Sequence, residues 1–226
     1  MRISLRYLAI ALLAGGACSR MDERLLNPPP SAPRARSQCL ERKDVDYFFA
    51  PGQIDATRDD SYMRQSWFRG YLALAEAESL SCGEAKEAYR LTWMTSARDA
   101  KIFTVRRGTD GWKLEVVDFG KELFSPFNGR AHELKRVTKE ITTTDLHRIR
   151  QELELLDFWS AKQFRWNPEM MDGYAMVIEG RSGDSYRAIT RNNLWDGAEQ
   201  VACPLFDIAR IMLPDPIRCV RPVTVP

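Results

Sequence analysis

The chain has 226 residues, of which 44% are hydrophobic, 10% aromatic and 28% charged. This composition is typical of a folded globular protein and excludes a disordered, fibrous or polytopic membrane protein. The formal net charge is +2, and it falls to zero without Arg2 and Arg6 of the segment that we expect to be removed. Nucleic-acid binding is not expected, because phosphate recognition needs several uncompensated cations on one face.

The N-terminal segment 1–17 has the three-part order of an export signal: two arginines, then an apolar run, then small residues. The apolar run from Tyr7 to Leu13 is too short to cross a bilayer core, which needs about 20 helical residues. We therefore expect residues 1–17 to be a cleaved signal peptide.

The junction that follows resembles the lipobox of bacterial lipoprotein precursors, with small residues leading to Cys18 and with Gly15 where that family prefers Leu. The resemblance implies acylation of the Cys18 thiol; the alternative is simple signal cleavage near Ala17, which releases a soluble periplasmic protein. Residues 18–43 are rich in Pro, Ser and Arg, which predicts a flexible tether behind the lipid. Enteric lipoproteins retained in the inner membrane carry Asp where this chain has Ser19, so the resemblance implies the periplasmic leaflet of the outer membrane.

Four cysteines remain once Cys18 is assigned to lipid. An even number in an oxidising compartment favours two disulfides over metal binding or thiol catalysis. We expect Cys39 to pair with Cys82, which would fasten the tether to the domain, and Cys203 to pair with Cys219, which would hold the C-terminal tail on the last helix. Closing the first loop would stabilise the fold by roughly 4 kcal/mol. The alternative is a set of buried free thiols.

The remaining residues, 44–226, are predicted to form a single domain that begins with a helix. Asp59 or Asp60 caps this helix, which runs to about Ser79. The residues predicted on its core face are Met63, Trp67, Tyr71 and Leu74. The strand-like runs that follow, the last of them typical of a sheet edge, are 88–95, 101–107, 112–119 and 134–141.

A capping-box pattern of Thr142 and Asp145 then predicts a helix over 143–157. A hairpin of strands 174–179 and 185–191 follows, and a C-terminal helix ends the domain. This succession predicts an α+β fold, a twisted antiparallel sheet of about five or six strands with about three helices packed on one side. A doubly wound fold is not expected, because no glycine-rich phosphate loop occurs.

The sequence contains no evident catalytic or metal-binding constellation. The two histidines, His132 and His147, are not spaced as metal ligands, and nucleophile-elbow, HExxH and Walker motifs do not occur. We expect His147 to be a surface residue. No catalytic residue, metal or cofactor is predicted, and a cell-envelope hydrolase that uses His132 and Glu133 is the least favoured alternative.

Tryptophans that stand beside polar residues in predicted loops are more informative about function than the histidines. Trp166 and Trp195 stand in predicted loops beside charged or amide residues, and Trp, Tyr and Arg are enriched at protein interfaces. The alternative is that both tryptophans plug the ends of the sheet. The patch that we expect to contact a protein partner consists of Trp166, Asp172, Arg191 and Trp195.

The second half of the chain resembles a pattern of small uncharacterised bacterial proteins. A helix ends in Phe-Trp, an Asp-Gly pair precedes a strand that ends in Glu-Gly, and a tyrosine-bearing return strand ends in Arg. The residues of this pattern are Phe158, Trp159, Asp172, Gly173, Glu179, Gly180, Tyr186 and Arg191. The resemblance implies a fold and brings no assigned chemistry.

A lipoprotein of this size, with a Pro-rich tether and no catalytic signature, is similar to the periplasmic immunity proteins that protect bacteria from their own secreted antibacterial toxins. This resemblance implies a lipid-anchored binding protein that inhibits a secreted effector and contacts the membrane through its lipid alone. The alternative is a structural or accessory lipoprotein of the envelope.

Overall fold

The computed structural model describes residues 48–50, 53–54, 59–95, 99–120, 134–166, 173–192, 196–214, 217 and 219. The expected signal peptide, the tether with Cys18, and the His132–Glu133 pair lie outside these ranges. The described elements, in chain order, are α1 (Asp59–Leu74), β1 (Glu87–Thr95), β2 (Ala100–Arg107), β3 (Trp112–Asp118), β4 (Lys135–Ile141), α2 (Thr143–Leu155), β5 (Phe164–Trp166), β6 (Tyr174–Ser182), β7 (Ser185–Asn192), a 3-10 turn (Ala198–Val201) and α3 (Ala202–Ala209).

The strands form one sheet in the order β4-β3-β2-β1-β6-β7-β5. The predicted α+β fold is confirmed, and β4 lies at the sheet edge as its charge pattern indicates. All neighbours are antiparallel except β5, which pairs parallel with β7. The sheet is therefore mixed, with seven strands. The sequence does not predict the additional strand, β5, because Phe164–Trp166 is too short for an alternating pattern to show.

The described helices cover both faces of the sheet, and the prediction that they pack on one side is wrong. On β1, Tyr89, Leu91 and Trp93 belong to the core cluster under α2 and α3. Ala88 and Met94, on the opposite face of the same strand, belong to the cluster under α1. Arg90 and Thr92, which share that opposite face, are buried as well.

Helix α1 buries a different stripe from the one predicted. Phe68, Tyr71 and Leu72 are buried, whereas Trp67 is 44% exposed and Leu74 is 37% exposed. Two apolar stripes overlap in this helix, since Tyr71 belongs to both, and helical spacing alone does not choose between them. The helix ends at Leu74, before the predicted Ser79.

Helix α2 begins at the predicted capping box. The Asp145 backbone N–H donates to Thr142 Oγ1 at 3.1 Å, and the Thr142 backbone N–H donates to Asp145 Oδ2 at 3.0 Å. Each bond satisfies a backbone donor that the first helical turn leaves unpaired. Leu146, Ile149 and Leu153 are buried against the sheet. This confirms the predicted helix, which is two residues shorter at its end.

The C-terminal helix is divided into a 3-10 turn and α3. Pro204 is the third residue of α3 and so lies in its first turn, where the missing N–H costs no intrahelical bond. Cys203 in this turn forms a disulfide with Cys219, with Cα atoms 5.7 Å apart. This bond holds the tail on α3, as the sequence predicts. Cys82 is disulfide-bonded too, and Cys39 lies outside the described residues.

Candidate partner-binding site

Two of the four predicted contact residues, Trp166 and Arg191, lie where β5 and β7 end at one end of the sheet. Trp166, the last residue of β5, pairs with Asn192, the last residue of β7. Asn192 lies opposite Ala175 of β6, next to the first residue of that strand, Tyr174. We call this the Asn192 end of the sheet.

The four predicted contact residues are described to different extents. Trp166 is placed by its backbone pairing in β5, and Arg191 is placed with its side chain. Asp172 and Trp195 lie outside the described residues, next in sequence to Gly173 and Asp196. The structure therefore brings together the chain segments that flank the predicted patch.

Arg191 lies inside the protein, with 1% of its surface exposed. Its Nε donates to Asp196 Oδ2 at 2.9 Å, and its Nη1 donates to the Gln163 carbonyl at 3.2 Å. These bonds connect β7 with Gln163, the residue before β5, and with Asp196, which precedes the 3-10 turn. Arg191 thus supports the site from beneath, because its guanidinium does not reach the surface.

Arg165 is an exposed cation at this end, and sequence reasoning did not select it. Its side chain is 47% exposed, and its Nη1 lies 3.2 Å from Asp196 Oδ2. One carboxylate oxygen therefore binds both a buried and an exposed guanidinium. The only sequence signal for Arg165 is its place beside Trp166, because Asp196 is distant along the chain.

Two arginines of β7 are buried, Arg191 next to the Asn192 end and Arg187 near the opposite end of the strand. Burial lowers the pKa of Arg191 below its usual range, and the Asp196 carboxylate opposes this effect. Burial also lowers the pKa of Arg187, and the nearby Arg191 charge adds to the lowering. Arg187 donates to the Ala161 carbonyl. Because a guanidinium stays protonated in proteins, both residues remain cations.

Buried aromatic rings pack against one another next to the Asn192 end of the sheet. Trp93 and Tyr174 stack with ring centroids 4.6 Å apart and an interplanar angle of 18°. Phe206 of α3 meets the Trp93 ring edge-on at 6.1 Å. Such contacts add to the stability from burial alone, so this end of the sheet is held in one arrangement.

A second charged cluster lies on the α1 face of the sheet. The Arg90 guanidinium and the Glu179 carboxylate, both buried, are 3.3 Å apart. Tyr186 Oη donates to Glu179 at 3.0 Å, and Arg90 also donates to the Glu78 carbonyl. Burial raises the pKa of Glu179, and the Arg90 charge opposes the increase. These groups satisfy one another, so the cluster is a structural element that joins β1, β6 and β7.

The Arg90 side chain also lines a cavity of about 590 Å³ between segment 75–85 and the first three strands. Small apolar residues and two further arginines line the cavity. Arg106 and Arg136 are each within 4 Å of the Glu115 carboxylate. The cations of the cavity therefore have internal partners, and it presents less distinctive recognition chemistry than the Asn192 end.

The described residues contain no group of three or more His, Cys, Asp or Glu side chains that could hold a metal ion. His147 is exposed on α2, as predicted. Within the same ranges, no helix is long and apolar enough to cross a membrane. No family model matches the chain, and no curated protein matches it.

Proposed function

We propose that this protein is a periplasmic, lipid-anchored binding protein, an immunity protein that neutralises a secreted antibacterial effector by occluding it with the Asn192 end of the sheet. One observation carries the proposal. The exposed Arg165 shares the Asp196 carboxylate with the buried Arg191, at the end of the sheet where β5 ends with Trp166.

The shared carboxylate supports recognition of an acidic group. The Arg165–Asp196 pair is partly exposed, and ion pairs of this kind contribute about 0 to 1 kcal/mol. A carboxylate of the effector can therefore bind the planar Arg165 fork at little cost. Arg191 keeps Asp196 in place meanwhile. The surface is thus already organised before binding, which reduces the entropy lost on association.

The expected processing of the N-terminus supports the compartment. A signal peptide over 1–17, acylation at Cys18 and a tether over 18–43 would present the domain to the periplasm from the membrane surface. An effector that acts on the envelope would meet the domain there. The disulfide between Cys203 and Cys219 is compatible with this oxidising compartment.

The test is calorimetric titration of the purified protein with the product of the neighbouring gene. We expect a complex, and we expect Arg165→Glu to weaken it by roughly tenfold or more. Arg107→Glu is the matched control, because Arg107 is an exposed arginine at the opposite end of the sheet. Cells that produce the effector should survive with the wild-type protein and die with Arg165→Glu.

Absence of a complex, or equal loss of binding in the two variants, would contradict the proposal. If deletion of the gene weakens the outer membrane without any effector present, the protein is an accessory envelope lipoprotein instead. A hydrolytic activity lost in His132→Ala would identify the hydrolase alternative.

A further inference from the structure

Strand β4 forms one edge of the sheet. All seven of its residues are in register with β3, and within the described ranges it has no second neighbour. Lys135, Arg136, Val137 and Thr138 are exposed. An edge strand carries backbone N–H and C=O groups on its outer side that can pair with another strand.

We propose that two copies of this chain associate through antiparallel pairing of β4 with itself. The two-fold axis passes through Thr138, the middle residue of Lys135–Ile141. This pairing joins the two sheets into one continuous sheet and uses the whole length of both edge strands. Such a contact is isologous, since the same surface serves both copies.

The charges of β4 are complementary to themselves in this register. Arg136 contacts Glu115 and the Ala75 carbonyl of its own copy, and 41% of its side chain stays exposed. In the dimer it lies opposite Glu140 of the second copy, and the two-fold axis repeats this pair. Both residues lie on the α1 side of the sheet, because side chains alternate along a strand. Thr138 lies opposite Thr138 of the second copy. Opposite-charge pairs and threonine pairs across antiparallel strands are both stabilising.

Neighbouring registers lose both opposite-charge pairs. If the axis passes through Val137, Arg136 lies opposite Thr138 of the second copy. If it passes through Lys139, Glu140 lies opposite that threonine instead. The stabilisation from opposite charges across the strands is then absent. The sequence of β4 therefore favours the register centred on Thr138 over those shifted by one residue in either direction.

The opposite face of the strand is compatible with the same register. Val137 is 37% exposed and would lie opposite Lys139 of the second copy. Lys139 donates through Nζ to the Ile208 and Ala209 carbonyls at 3.2 and 2.8 Å. Its charge is thus directed at the end of α3, and its aliphatic stem is available to cover Val137 of the other copy.

Sedimentation equilibrium of the purified protein tests this dimer. In a dimer of Glu140→Arg, the two copies place four cations at these positions, and in a dimer of Arg136→Glu they place four carboxylates there. We expect each substitution to raise the dissociation constant of the dimer roughly tenfold or more. An equimolar mixture of the two variants restores opposite charges at both pairs. We expect this mixture to form a heterodimer as stable as the wild-type dimer.

Glu154→Arg is the control for an equal charge change, because Glu154 is exposed on α2, away from the edge strand. Thermal unfolding of each variant separates loss of association from loss of fold. A wild-type protein that stays monomeric at millimolar concentration would overturn the proposal. So would a dimer that both variants leave intact, or a mixture that fails to associate although each variant is folded.

Discussion

The ring of Phe158 lies directly against the backbone of Gly180, so that a Cβ added to the glycine would be 2.6 Å from Phe158 Cε1. This contact gives a physical reason for two parts of the sequence pattern in the second half of the chain. The aromatic residue after α2 is 1% exposed, and it packs where β6 offers no side chain. The phenylalanine and the glycine are therefore one packing unit.

Gly180→Ala should destabilise the protein by about 1 to 3 kcal/mol, because the new methyl group overlaps a buried ring. Phe158→Ala should cost about 3 to 5 kcal/mol through the cavity that it leaves. In the double variant the methyl group enters that cavity, so the double variant should be destabilised by less than the sum of the two single variants. Urea unfolding of the four proteins measures this coupling, and strict additivity would contradict the packing argument.

The buried Glu179 should make stability depend on pH. Burial raises its pKa in the folded protein above the value in the unfolded chain, in spite of Arg90. The folded state then binds the proton more readily, so this contribution is complete below the unfolded pKa and is lost as pH rises through the folded pKa. We expect the free energy of unfolding to decrease with rising pH in this window.

Glu179→Gln removes the titrating group and should flatten that decrease, as measured by urea unfolding at a series of pH values. Glu154→Gln, on the exposed face of α2, is the control and should leave the pH dependence as in the wild type. Gln resembles the protonated carboxyl group, so the variant should keep its stability as pH rises, whereas the wild type should lose it. An unchanged pH profile in Glu179→Gln would show that another group is responsible.

The disulfide between Cys203 and Cys219 closes a loop with a sequence separation of 16. By the chain-entropy estimate, a loop of this length stabilises the fold by about 3 kcal/mol. Replacement of both cysteines by serine should therefore lower the melting temperature, as calorimetry would show. Because Ile217 is buried, detachment of the tail should also expose apolar surface. Equal melting temperatures for the variant and the oxidised wild type would contradict this prediction.

The sequence predicts correctly those elements that depend on interactions between residues close together in the chain. Thr142 and Asp145 predict the start of α2 because a capping box acts within four residues. The stripe of α1 was wrong because Trp67 and Phe68 both fit helical spacing, and only the sheet beneath selects Phe68. The sequence predicts a surface contact for Arg191 because its partner, Asp196, belongs to a loop whose path the sequence does not reveal.

Substitutions of Arg165 and Arg191 should distinguish effects on binding from effects on stability. Both arginines contact the Asp196 carboxylate, but Arg165 is exposed and Arg191 is buried. Arg191→Ala leaves the Asp196 carboxylate without its inner partner and opens a buried space, which should cost about 3 to 5 kcal/mol of stability. Arg165→Ala removes a partly exposed pair and should cost at most about 1 kcal/mol. Urea unfolding should therefore rank Arg191→Ala far below Arg165→Ala, whereas titration with the effector should show weakened binding in the fully folded Arg165→Ala protein. If Arg165→Ala binds as the wild type does, the exposed guanidinium is not a contact residue, and the observation that carries the proposed binding site fails.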